Sequence, residues 1–200
     1  MTQRLDLLAH PWWVNLLTSV PIAAFWYWRK TGVRVPLAKL GLITAWSAAF
    51  GLVEATVVIY LRALVGASFG YESTLAGVAR FSVQVVDKPT IAVPRDLLLL
   101  ETSREAATIV MLLALAMLVA KPWRERSACF LYAFAVWDIC YYLGLHLTIQ
   151  WPPSLTTVDV LFLIPEPWIA QVWFPLLLSS LTLIAILLLR PRRTSMPSPP

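Results

Sequence analysis

The sequence predicts an all-α protein: an integral membrane helical bundle of about five transmembrane helices, N-terminus out and C-terminus in. Three observations predict it. Of the 200 residues, 59% are hydrophobic and only 14% charged, against about 25% charged in ordinary soluble domains. Five apolar runs are long enough to cross a hydrocarbon layer, which takes roughly 17 to 25 residues of helix. Tryptophans collect at the ends of these runs, where an amphipathic ring sits at headgroup level.

The runs are Pro11–Trp28, Leu40–Leu61, Asp96–Ala120, Ser127–Thr148 and Val172–Leu189. Hydrocarbon offers no partner for backbone N–H and C=O groups, so isolated runs of this kind must be helical. The first run is bulky and aromatic, ends in Arg29-Lys30 and lacks a small-residue cleavage site, so it reads as a retained helix. Pro11, Pro36, Pro94 and Pro122 precede or open helices, while Pro152, Pro153, Pro165, Pro167 and Pro191 follow ends or break loops. Pro21 alone lies well inside a run and predicts a kink there. Residues 1–190 thus form a single transmembrane domain, and 191–200 reads as a disordered cytosolic tail.

Lys and Arg set the orientation. The first connection carries Arg29, Lys30, Arg34 and Lys39; the third carries Lys121, Arg124 and Arg126; the tail carries Arg190, Arg192 and Arg193. Cytoplasmic loops concentrate basic residues, which puts these three segments inside. The fourth connection, WPPSLTTVDVLFLIPEPW, has no Lys or Arg and is too apolar for a solvated loop, so Val158 to Ile164 is expected to dip into the outer interface or pack on the bundle. The long second connection, Arg62 to Arg95, is discordant in charge but long enough to escape the rule. Within it, Tyr71 to Val86 suits a membrane surface, and Phe81 to Val86 alternates like a short strand, which leaves its type open.

The formal net charge of +5 is no sign of nucleic-acid binding, because the basic residues form short clusters beside apolar runs rather than a stripe. Cys129 and Cys140 lie eleven residues apart on one run, about 16 Å along a helix and too far to bridge.

The stretches ETSREAAT, AVWDICYYLGLHL and WPPSLTTVDVLFLIPEPW carry a resemblance. From Glu101 to Trp168, about a third of the chain, the sequence resembles uncharacterised multi-pass membrane proteins of bacteria. The resemblance implies a class and a place, a polytopic protein of the bacterial inner membrane. It implies no activity, cofactor or site residue.

Ionisable side chains inside a span cost roughly 2.5 to 3.5 kcal/mol each and therefore face other helices and seek partners. Glu54 lies about 12 Å below the outer end of the second run, on a face with Gly51 and Ser47, small residues that mark a helix contact. Asp138 lies about 15 Å below the outer end of the fourth run, with Tyr141, Tyr142 and His146 stacked above it on one broad face. The third run begins with Glu101, Arg104 and Glu105, spaced for i,i+3 and i,i+4 contacts. All three sets fall in the outer half of the bilayer. The expectation is a buried carboxylate site of Glu54, Arg104, Glu105 and Asp138, with Tyr141, Tyr142 and His146 as its access path, handling protons, a cation or a small polar ligand. Structural roles stand beside it: an interfacial ion pair for Arg104, a helix lock for Glu54, a hydrogen-bond acceptor for Asp138 and an ordinary interfacial side chain for His146.

No metal or cofactor is assigned. Glu, Asp and His can bind zinc, but there is no Glu-x-x-His pairing, and two histidines, His10 and His146, are weak support for haem. GxSxG, HExxH and Gly-rich phosphate loops are absent from the sequence. The lipid bilayer and other membrane proteins are the expected partners. Two further functions remain open: a non-catalytic subunit of a larger membrane complex, and an intramembrane enzyme acting on a lipid or isoprenoid with Asp138 or Glu54 as acid or base.

Overall fold

The computed structural model describes residues 8–87 and 95–190. The expectation of a disordered tail at 191–200 lies outside the described residues. A 3-10 helix, Trp12–Thr18, runs into α1 (Ser19–Trp28). It is followed by α2 (Leu37–Ser68), α3 (Leu75–Asp87), α4 (Arg95–Val119), α5 (Trp123–Ile149), the strands β1 (Val158–Phe162) and β2 (Trp168–Gln171), and α6 (Trp173–Leu188).

Three helices, α2, α4 and α5, are long and apolar enough to cross a membrane. Their 32, 25 and 27 residues give lengths of about 48, 38 and 40 Å, all above the roughly 30 Å of a hydrocarbon core. The first and fifth predicted spans are shorter as continuous α-helix: α6 has 16 residues and α1 has 10.

The first predicted span changes helix type just ahead of Pro21. Pro21 has no N–H to give to the Leu17 carbonyl, and its ring crowds that oxygen. The segment before α1 winds as a 3-10 helix, and α1 starts two residues ahead of the proline. The Asn15 side chain braces this turn, accepting from the Ala9 N–H (2.9 Å) and donating to the carbonyls of Ala9 (2.8 Å) and Trp12 (2.9 Å).

Two connections have more regular structure than their sequence alone specifies. The helix α2 runs seven residues past Leu61 to Ser68, and the strand-like stretch from Phe81 lies within the helix α3. Val78, Phe81 and Ser82 of α3 are buried, and α3 packs on α2 and α5. The expected apolar loop from Val158 is a β-hairpin, so the all-α class gains a two-stranded antiparallel sheet pairing Val158 with Gln171 and Phe162 with Trp168. The alternation of Val158, Val160 and Phe162 is a strand period, and Pro165 and Pro167 cannot continue a helix. His10 extends the sheet through a bridge to Ile169, with N···O distances of 2.8 and 2.6 Å.

The central helix is α5, which packs against α2, α4 and α6. Of its apolar stretch, 61% is buried, against 33% for α2 and 22% for α4, so α2 and α4 lie around it. Gln150, in the left-handed conformation (φ 55°), ends α5 by giving its N–H to the His146 carbonyl. The contact between α2 and α5 is close because of small residues. Ser47, Gly51 and Ala55 are buried on one face of α2. A Cβ added at Gly51 would sit 2.6 Å from the Trp137 carbonyl oxygen and 3.0 Å from the Tyr141 nitrogen. On α5, Gly144 meets the Ala55 Cβ at 3.0 Å in the same sense.

Gly51→Leu therefore forces α2 off α5 and should cost at least about 1–3 kcal/mol, as overpacking does. The expected outcome is a clear loss of monodisperse protein in detergent. Gly41→Leu, at a site with no atom within 4 Å, should leave the yield unchanged.

Candidate functional site

The helices α2, α4, α5 and α6, together with the hairpin, line a partly open cavity of about 540 Å³, with Leu17 and Phe81 and Ser82 of α3 at its margin. Its volume falls within the roughly 300–1,000 Å³ of small-molecule sites. One part of the wall is apolar, including Val58 and Leu61 of α2, Phe134 of α5, Phe162 of β1 and Phe174 of α6. Set into it are five carboxylates, Glu54, Glu101, Glu105, Asp138 and Asp159, and two guanidiniums, those of Arg62 and Arg104.

The residues expected from sequence are largely gathered here. Glu54, Arg104, Glu105, Asp138, Tyr141 and Tyr142 all line the cavity. His146 does not: it is exposed, and the chamber includes no imidazole among the described residues. The expected ladder from Asp138 through the tyrosines to His146 is thus broken after Tyr142. A register of i,i+4 on α5 keeps residues on one broad face, but each step turns about 40° past a full turn, and from Asp138 to His146 the drift is enough to leave the cavity.

The polar groups make separate attachments. Arg104 pairs with Glu101 one turn earlier, through Nε (3.0 Å) and Nη2 (2.5 Å), and reaches across to Glu54 of α2 through Nη1. Its side chain is 21% exposed and that of Glu54 only 5%, so this pair is shielded from water and locks α4 to α2. Glu105, which Arg104 also attracts, accepts the Leu163 N–H at 2.7 Å, fastening the chain at the end of β1. Asp138 accepts from the Ser179 hydroxyl of α6 at 2.7 Å, and the Tyr142 hydroxyl donates to Asp159 of β1 at 2.9 Å. One oxygen of Glu105, Oε1, one of Asp138, Oδ1, and the Tyr141 hydroxyl form no hydrogen bond among the described residues.

Three site residues were not foreseen: Asp159, Arg62 and Ser179. Asp159 stands in an apolar stretch alternating with Val158 and Val160, a pattern that marks a half-buried strand. Arg62 seemed only the end of a span; its guanidinium lies 3.9 Å from the ring centroid of the buried Trp151 and attracts the Asp159 carboxylate. Ser179 had no signal beyond being polar in an apolar run. The hairpin is held at a third point outside the cavity, where Trp13 donates to Glu166 at 3.0 Å. Among the described residues, no group of three His, Cys, Asp or Glu side chains is placed to hold a metal ion.

Burial raises the Asp159 carboxyl above the usual carboxylate range, with Arg62 and the Tyr142 hydroxyl pulling the other way. A raised folded-state value favours the protonated form in the folded protein. The stability it contributes is complete below the ordinary aspartate range and fades as pH rises through the raised value. Asp159→Asn keeps an acceptor for Tyr142 and cannot ionise. It should raise the melting temperature relative to wild type at pH above the ordinary aspartate range and flatten the fall in stability there; an unchanged profile would contradict a buried, ionising Asp159.

Removing Arg104 leaves Glu54 and Glu101 without their cation. Arg104→Gln should lower stability by about 3–5 kcal/mol, the cost of breaking a buried pair on one side. Adding Glu54→Gln should restore part of the loss, because one uncompensated charge is then gone. Thermal unfolding in detergent measures both.

Comparison with family models, with curated proteins and with solved structures finds no match to this chain.

Proposed function

We propose that the chain is a multi-pass protein of the cell membrane, of the bacterial polytopic class, with five spans, its N-terminus outside and its C-terminus inside. We infer that it binds an amphipathic small molecule in the chamber. The observation that carries this reading is a cavity of about 540 Å³ with a largely apolar wall and an excess of carboxylates, five against two guanidiniums. A proton or bare cation needs no such volume. An apolar body suits the Val58, Leu61, Phe134 and Phe174 wall, and a head that donates hydrogen bonds or carries positive charge suits Glu105, Asp138 and Tyr141, whose remaining oxygens accept no hydrogen bond among the described residues. Glu54 and Glu101 are engaged by Arg104, which also attracts Glu105, so Asp138 is the carboxylate most open to the ligand. A cationic head and a proton compete for the same carboxylate oxygens.

The chain reconstituted in nanodiscs should be titrated with decyltrimethylammonium, decanoate and decanol, each below its micelle-forming concentration. The ammonium compound should raise the melting temperature saturably, by about 3 °C or more, and the carboxylate should not. Asp138→Asn should fold and lose the response. Equal shifts from all three compounds, or a full response in Asp138→Asn, would refute the reading. A compound that returns chemically altered would move the chamber from binding to catalysis on a lipid-like substrate, with Asp138 as acid or base. No response to any would favour a non-catalytic subunit of a larger complex.

A further inference from the structure

The end of the bundle away from the hairpin has its own character. Three chain segments meet there. The Val33 N–H donates to the Leu189 carbonyl at 3.0 Å, bringing the first connection to the end of α6. The Arg34 N–H donates to Glu125 at 3.1 Å, Lys39 Nζ to the Val119 carbonyl at 2.5 Å, and Arg124 to the Tyr27 carbonyl at 2.5 Å and the Thr31 hydroxyl at 2.6 Å. These bonds tie the first connection to the α4–α5 turn. Clusters that are separate in sequence thus form one surface, holding Arg29, Lys30, Arg34, Lys39, Lys121, Arg124, Arg126 and Arg190. Glu125 is its one acidic residue among the described ones, and its carboxylate is engaged by the Arg34 N–H.

The same surface is aromatic. Trp26 is 57% exposed and Trp123 69%, unusual values for tryptophan in contact with water alone. Guanidiniums are held against these rings: Arg29 lies 3.6 Å from the Trp26 centroid, Arg124 4.3 Å from that of Tyr27 and Arg126 5.2 Å from that of Trp123. The side chains of Lys30, Arg34 and Lys121 are exposed and have no partner among the described residues. A partner that matches this surface must offer anionic groups and, directly beside them, apolar matter for the indoles. A duplex nucleic acid supplies the charge but keeps its base faces stacked away from the indoles.

We propose that this end of the bundle docks the headgroups of anionic phospholipids, with Lys30, Arg34 and Lys121 as the free cations and Trp26 and Trp123 seated at the acyl boundary. The physical basis is the attraction of clustered Lys and Arg to a negatively charged leaflet, about 1 kcal/mol for each residue near the surface. It does not depend on the chamber or on what the chamber binds.

The full chain in detergent should be incubated with equal amounts of phosphatidylglycerol and phosphatidylcholine, separated by gel filtration, and its retained lipid quantified after extraction. The wild type should retain phosphatidylglycerol in preference by roughly tenfold or more. The preference should collapse in 0.5 M sodium chloride, where the screening length is only a few ångströms. Lys30→Gln/Arg34→Gln/Lys121→Gln should lose most of it. Arg80→Gln, which removes an exposed cation paired to Glu72 elsewhere, should keep it. Equal retention of the two lipids, a preference that survives high salt, or full preference in the triple variant would overturn the proposal. The salt titration on wild type decides the matter even where the triple variant gives no folded protein. Loss of the preference in 50 mM inorganic phosphate at matched ionic strength would also overturn it, since a small-anion pocket would then be the binder.

Discussion

The close approach of α2 to α5 fixes the geometry on which the rest of the structure depends. Gly51 sits against the backbone of α5 at Trp137 and Tyr141, and one turn further along α2 Ala55 meets Gly144. Two small-residue contacts, one on each helix, leave little freedom of rotation or sliding. Glu54 lies beside the first contact on α2, and Asp138 follows Trp137 directly on α5. The packing that excludes lipid from this seam therefore also carries both carboxylates into the interior, where each needs a partner.

Those partners come from the surrounding elements, and each is different. Glu54 takes Arg104 of α4, Asp138 takes Ser179 of α6, and Glu105 and Tyr142 take the backbone and side chain of β1. A buried ion pair is weak evidence for stability, because desolvation offsets much of the Coulombic gain. Its effect on specificity is clearer: Arg104 can sit between Glu54 and Glu101 only when α4 has one rotation relative to α2. The hairpin depends on the same polar groups, since Glu105 and Tyr142 fasten it from α4 and α5. The wall of the chamber and the groups inside it are thus one set of interactions.

Charge is distributed unequally along the bundle. The chamber gathers five carboxylates against two arginines, while the opposite end gathers eight basic residues against Glu125. Short connections carry the basic clusters, and backbone hydrogen bonds among them hold the clusters together. An interior rich in carboxylates and an end rich in Lys and Arg make different demands on neighbouring molecules, and the helices keep the two apart.

The sequence by itself determined the helical class, most helix positions, the pairing of Glu101 with Arg104 and the contact face of Ser47, Gly51 and Ala55. Each follows from local periodicity: 3.6 residues per turn places residues three and four apart side by side whatever the rest of the chain does. It also placed six of seven expected side chains in one cavity, because a buried charge on an apolar helix has few directions to point. Only the tertiary structure decided the hairpin, the entry of Asp159, Arg62 and Ser179, and the exclusion of His146. An apolar stretch such as Val158 to Ile164 has the same hydropathy as a surface-lying loop, and its strand pairing with Trp168 to Gln171 depends on the turn between them and on docking against Glu105 and Tyr142. Which carboxylate claims Arg104, and which is left for β1, depends on the rotation of α4 against α2, and that rotation is set by contacts between residues about fifty positions apart in the chain.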